Sequence, residues 1–151
     1  MEAIKTKEII DTLNRIMELE LSGVVKYTHY ALMVFGFNRI PIVSWLKENA
    51  TESLTHANKA GEFVTLLGGH PSLKIAPLLD SQHHSIKDIL TESLEHEKAA
   101  LVSYYDLLKI VKDNSISLED YARNMISTEE LHLDSVTKML RKSDDTATFK
   151  E

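Results

Sequence analysis

No cysteine occurs among the 151 residues, which excludes disulfides, thiolate metal sites and cysteine nucleophiles together. Any metal would have to be gripped by histidine and carboxylate. Glycine and proline are scarce, 5 and 3 in all, so the backbone has few places to break and long helices are favoured over strands. No run of basic residues stands out in a chain of 17 basic and 23 acidic side chains with net charge -6. A nucleic-acid partner therefore has little electrostatic footing. No apolar run approaches the roughly 18 residues that would span a bilayer, so no membrane partner is expected. The opening MEAIKTKEII lacks the basic region and apolar run of a secretory signal, and the expected location is cytoplasmic. What is there, 43% hydrophobic and 26% charged residues, suits one soluble domain with a sizeable core.

Four apolar stripes with steps of three and four predict four long helices. The first spans about Thr6 to Val34, with Ile9, Leu13, Ile16, Glu20, Val24, Tyr27, Ala31 and Val34 on one face. Gly36 ends it, and Pro41 suits the first turn of the second. That helix shows Ile42, Leu46, Asn49, Ser53, His56, Ala60, Phe63 and Leu67, and GGHP from Gly68 stops it. The stretch HPSLKIAPLLDSQ reads as an extended crossover. The third helix begins near Ser85 and carries Ile86, Leu90, Leu94, Glu97, Leu101, Tyr104, Leu108 and Val111. After KDNSIS, Ser117 with Asp120 reads as a variant capping pair for the fourth, whose stripe is Leu118, Tyr121, Met125, Glu129, His132, Val136 and Met139. Two short turns around one long middle connection predict an all-α four-helix bundle with a crossover between helices 2 and 3. The bundle is expected over residues 1–142, followed by a short tail, 143–151, and no full fifth helix.

The stripes are informative where they break. Glu20 lies between Ile16 and Val24, while its neighbour Glu18 aligns with Asn14 and Ser22 on a polar face. Glu97 lies between Leu94 and Leu101; Glu129 and His132 interrupt the fourth stripe, and His56 the second. All five fall near mid-helix and should share one level of the bundle. Glu129 and His132, three residues apart, occupy one helix face and can reach a single point. Three buried carboxylates must either take up protons or meet cations, and the lysines and arginines lie mostly off these stripes. Imidazole with carboxylate suits iron, manganese or zinc, and this donor pattern is that of a di-iron carboxylate bundle. Singly, each of these side chains is as well explained by a hydrogen-bonded core residue; the five together favour metal. His29, His70, His83, His84 and His96 fall in loops, at helix starts or on polar faces and read as surface residues, with His83–His84 able to take up adventitious metal. Tyr27 and Tyr104 read as core packing.

The stretches LELSGVVKY around Glu20, THANKAGEFVTLLGGHP after Ser53, EKAALVSYY after His96 and EELHLD from Glu129 resemble bacterioferritin and the wider ferritin-like superfamily over nearly the whole chain. The resemblance implies that Glu20, His56, Glu97, Glu129 and His132 are metal ligands, with Glu129 bridging two metals and Tyr27 beside them. It also implies iron, two per chain, as the cofactor, with manganese or zinc as alternatives. Three departures qualify it. The family's other bridging glutamate falls on Ser53, and Glu52 is the nearest carboxylate that could stand in, although it is turned about 100° around the helix. Leu54 stands where a haem-ligating methionine would, which argues against haem held in that way. The family's fifth helix has only SDDTATFKE in its place, so a homodimer is expected ahead of a large cage. The function implied is oxidation of Fe(II) by O2 or peroxide in iron storage or detoxification. The alternatives are a metal-binding or structural relative with a site impaired at Ser53, and a rubrerythrin-like peroxidase.

Overall fold

The computed structural model describes residues 3–78 and 81–141. Within them lie four helices, α1 (Ala3–Met33), α2 (Arg39–Leu66), α3 (Ile86–Val111) and α4 (Ile116–Leu140). The architecture is the expected all-helical four-helix bundle. No helix among the described residues is long and apolar enough to cross a membrane. The expected tail, 143–151, lies outside the described residues.

Side-chain partners fix the helix directions. Tyr30, Tyr27 and Glu20 of α1 meet Glu92, Glu97 and Tyr104 of α3 in that order, so the two helices are antiparallel. Tyr27 packs on Trp45 while Glu20 lies beside His56, so α2 is antiparallel to α1 as well. Hence α2 and α3 run the same way, and the segment between them must cross the length of the bundle. It does so along α1. Asn14 donates to the carbonyl of His70 at 3.1 Å and accepts from the Ser72 amide at 2.9 Å. Further along, the Ala76 amide reaches the Glu18 carbonyl at 3.0 Å.

This strap covers a polar face of α1. The Asn14, Glu18 and Ser22 face is polar, but it does not face open water: Asn14 and Glu18 are half-buried and Ser22 is fully buried. The Asn14 side chain and the Glu18 carbonyl supply hydrogen bonds that an extended segment needs when it lies against a helix.

The helix ends follow local chemistry. Gly36 has φ +99, and the Arg39 guanidinium donates to the carbonyls of Ala31 and Val34 at the end of α1, at 3.0 and 2.7 Å. Gly68, at φ +80, supports a turn in which the amides of Gly68 and Gly69 return to the carbonyls of Thr65 and Val64. Ser85 caps α3 as its position suggests, accepting from the Asp88 amide at 3.1 Å. The cap of α4 is Ser115, which accepts from the Leu118 amide. The expected Ser117 is instead an exposed residue of the first turn, because the chain becomes helical immediately after Ser115.

Apolar packing falls into two clusters. One holds Ile9, Leu13, Ile16, Val64, Tyr104, Leu107, Tyr121 and Met125 among others; the other is built on Tyr27, Tyr30, Val34, Leu46 and Ile89. A layer of polar side chains lies between them.

Candidate metal centre

All five stripe-breaking residues arrive in that layer. Glu20, Glu97 and Glu129 are 3, 3 and 2% exposed, burial that a charged carboxylate tolerates only with compensating partners. His56 and His132 are half-buried. Nδ1 of His56 lies 3.5 Å from Glu20 Oε2 and 3.6 Å from Glu129 Oε1. Nδ1 of His132 lies 3.3 Å from Glu97 Oε2. The donor atoms form two groups, Glu20 with His56 and Glu129, and Glu97 with Glu129 and His132, each within 4.8 Å. Glu129 belongs to both groups.

No lysine or arginine is among the groups that act most strongly on these side chains. Burial pushes the Glu20 carboxyl above its ordinary range, against the opposing pull of His56. Burial raises Glu129 strongly, and the neighbouring Glu97 adds to the rise. For Glu97 burial also acts upward, but His132, Glu129 and Tyr27 outweigh it and hold the carboxylate low. Burial opposes charge on both imidazoles, yet Glu20 raises His56 and Glu97 raises His132. Extra protons are thus held on Glu129, Glu20 and the two imidazoles. Divalent cations would neutralise the same carboxylates directly.

The donor set fits such ions on a further observation. Glu129 Oε2 is buried with no hydrogen-bond partner among the described residues, although buried polar atoms are ordinarily paired. Tyrosines tether the outer carboxylates. Tyr27 donates to Glu97 Oε1, and Tyr104 donates to Glu20 Oε1 at 3.0 Å. The two rings therefore pack in the core, as their positions suggest, and also orient candidate ligands.

Ser53 is buried, 5% exposed, and faces Gly23 of α1. A Cβ added to Gly23 would lie 2.9 Å from Ser53 Oγ, so a short side chain and a bare Cα meet there. Glu52 is exposed, and its Oε1 approaches Nε2 of His56 at 3.6 Å. That nitrogen is on the opposite side of the ring from the one facing Glu20 and Glu129. Glu52 therefore braces the imidazole from outside and joins neither donor group. Leu54 is 45% exposed on the outer side of α2.

His96 is a residue the sequence reading missed. Its place on a polar face suggests a surface residue, yet it is only 5% exposed. Its Nε2 would lie 2.7 Å from a Cβ at Gly23, its ring stands edge-on to Tyr27 at 5.9 Å, and Nδ1 is 3.5 Å from Lys26 Nζ. Burial, helped by the Lys26 charge, holds it down at about 4, so it is neutral at pH 7. Its helical neighbours Ser93 and Ala100 are small and buried. These small residues, together with Gly23 on α1, are the available sequence signal of a close helix contact. Outside this ring, Lys26, Tyr30, Ser81 and Glu92 line a cleft of about 340 Å³ between α1 and the start of α3. The remaining histidines, His29, His70, His83 and His84, are exposed or half-buried and lie away from the polar layer.

Residues 10–145 match the ferritin-like domain family. The chain is 28% identical over 141 residues to bacterioferritin from Brucella melitensis, covering 88% of this chain and 83% of that one. Its fold matches a ferritin-like, diiron-carboxylate protein from Bacillus anthracis with TM-score 0.87 at 22% identity, covering 93% of this chain and all of that one. It also matches a dodecameric thioferritin, a bacterioferritin-related protein from Bacteroides fragilis, with TM-score 0.80 at 22% identity over 89% and 85% of the two chains. This chain belongs to the ferritin-like family.

Proposed function

We propose that the chain binds two iron ions between its helices and oxidises Fe(II) with O2 or peroxide, in iron storage or detoxification. The observation that carries this reading is the position of Glu129, common to two donor groups that each include one imidazole and one further carboxylate. Glu20 and His56 would hold one ion, Glu97 and His132 the other, with Glu129 between them. Iron, when bound, supplies the one-electron chemistry; each ferrous ion loses one electron and the oxygen species is reduced. The protein's part is to orient the carboxylates through Tyr27 and Tyr104, hold His56 against Glu52, and exclude bulk water by burial. Manganese or zinc would suit the same donors. Family membership and the diiron and bacterioferritin relatives support iron handling; a cytoplasmic location and a homo-oligomer, as in the dodecameric relative, belong to the same reading.

Ser53 supports a second reading. A neutral hydroxyl stands where the family's other bridging carboxylate would be, so one ion could be held less firmly than the other. The protein would then bind metal or act as a structural relative, and oxidation would be slow. An anaerobic Fe(II) titration of metal-free protein, followed by O2, separates the two. A break at two irons per chain with a near-ultraviolet ferric-oxo band supports oxidation. A break at one, with no such band, supports the binding reading and overturns the first.

A further inference from the structure

His29, on the outer side of α1, meets His84, two residues before α3 begins. Their Nε2 atoms are 3.1 Å apart, with ring centroids 5.2 Å apart and planes inclined by 64°. The sequence joins His84 to its neighbour His83, but the imidazole that meets it across the fold is that of His29. A two-coordinate grip by imidazoles on a tetrahedral ion, with bonds of about 2.0–2.1 Å, requires nitrogens about 3.3 Å apart. The observed separation needs only a small outward movement to admit an ion.

The backbone at both histidines is already held. Tyr30, next to His29, donates to Glu92 Oε2 at 2.6 Å, and Ser81 donates to the other oxygen of Glu92. Ser85, next to His84, caps α3 through the Asp88 amide and donates to Asp88 Oδ2 at 2.7 Å. Hydrogen bonds therefore secure α1, the end of the connection and the start of α3 on either side of the imidazole pair. A site whose ligands are positioned beforehand loses little freedom when it binds.

We propose that His29 and His84 form a surface metal site, separate from the buried centre, for one divalent ion of the zinc or copper class. Neutral imidazole is a favoured ligand for these ions, and solvent supplies the remaining positions. Bound there, the ion clips the end of the long connection to α1. The site does not depend on iron chemistry in the core.

The test is zinc uptake by full-length protein and by His29→Ala, His84→Ala and His83→Ala, followed by calorimetry and by copper spin resonance. The buried centre contributes equally to every chain, so differences report the surface pair. Wild type and His83→Ala are expected to take up one more equivalent of zinc than the other two variants. Copper is expected to give wild type and His83→Ala a signal coupled to two nitrogens that His29→Ala and His84→Ala lack. Equal uptake by all four chains would leave only a hydrogen-bonded imidazole pair and overturn the proposal, as would loss in His83→Ala. Backbone hydrogen exchange over residues 81–85 should slow with zinc in wild type and His83→Ala but not in His29→Ala or His84→Ala; uptake without slowing would overturn the clip.

Discussion

Glu129 Oε1 lies 3.6 Å from Nδ1 of His56, a residue of α2, while the same side chain shares a donor group with Glu97 of α3 and His132 of its own helix. With Glu20 of α1 in the His56 group, one carboxylate thus shares donor groups with side chains from all four helices, and its second oxygen has no partner among the described residues. Glu129→Gln keeps the shape and removes the charge. Because burial already favours the neutral carboxyl, metal-free stability should change by no more than about 1 kcal/mol. Ferrous iron should raise the melting temperature of wild type through preferential binding to the native state. In Glu129→Gln that rise should be mostly lost. An equal iron-dependent rise in both proteins, measured by anaerobic calorimetry, would remove Glu129 from the metal site.

The protons held in the metal-free core give stability a definite pH dependence. Glu20 and Glu129 are raised by burial above their ordinary 4.5, and His56 and His132 are raised above 6.5 by their carboxylate partners. In each case the folded state holds more protons than the unfolded state, so stability falls as pH rises. The carboxyl contribution is complete below about pH 4.5 and is lost as pH rises through the folded values. The imidazole contribution is complete below about pH 6.5 and is lost above it. Glu97 acts oppositely: held at about 2, it stabilises above about pH 4.5 and loses that effect as pH falls toward 2. His96, held at about 4 by burial, also acts oppositely, its contribution growing between about pH 4 and 6.5. The melting temperature of metal-free protein should therefore fall from about pH 6.5 to pH 8, and bound divalent metal should flatten the slope. A flat profile without metal would contradict these shifts.

Ser53→Glu tests the altered bridging position. If a carboxylate there completes the donor set, the ferrous titration should break nearer two irons per chain and oxidation should accelerate. Glu52→Gln should act more weakly, lowering metal affinity by about tenfold through looser orientation of His56. A larger loss from Glu52→Gln than the gain from Ser53→Glu would make Glu52 a direct ligand.

Gly23→Ala puts a methyl group 2.7 Å from His96 Nε2 and 2.9 Å from Ser53 Oγ. Alanine favours a helix over glycine by about 1 kcal/mol, but crowding in a packed interior costs about 1–3 kcal/mol. We expect net destabilisation in urea, relieved when His96→Ala is combined with it. A stabilised single variant would mean that the imidazole has room to turn aside.

Much of this was legible before folding. Apolar residues at steps of three and four marked all four helices, and the polar residues interrupting those stripes are those that meet at one level. This works because helical periodicity alone decides which side chains share a face, and burying that face is what joins the helices. Periodicity is silent about what covers the other faces. The Asn14–Glu18–Ser22 face reads as polar, and only the fold shows that the crossover lies along it. His96 is turned away from the Glu97 stripe, yet α1 approaches closely enough at Gly23 to enclose it.

Two further matters were decided only in three dimensions. Glu52 and Ser53 are adjacent in the chain, but helix rotation turns one to the rim and the other to the core, so which side of His56 each reaches depends on packing. His29 and His84 are 55 residues apart, and no local pattern connects them; the antiparallel course of α1 and α3 does. The sequence by itself determined the four helices and the inward-facing donors, because those follow from local periodicity. Tertiary structure decided how the donors group, which polar faces are covered and where distant imidazoles meet, because these depend on contacts between segments remote along the chain.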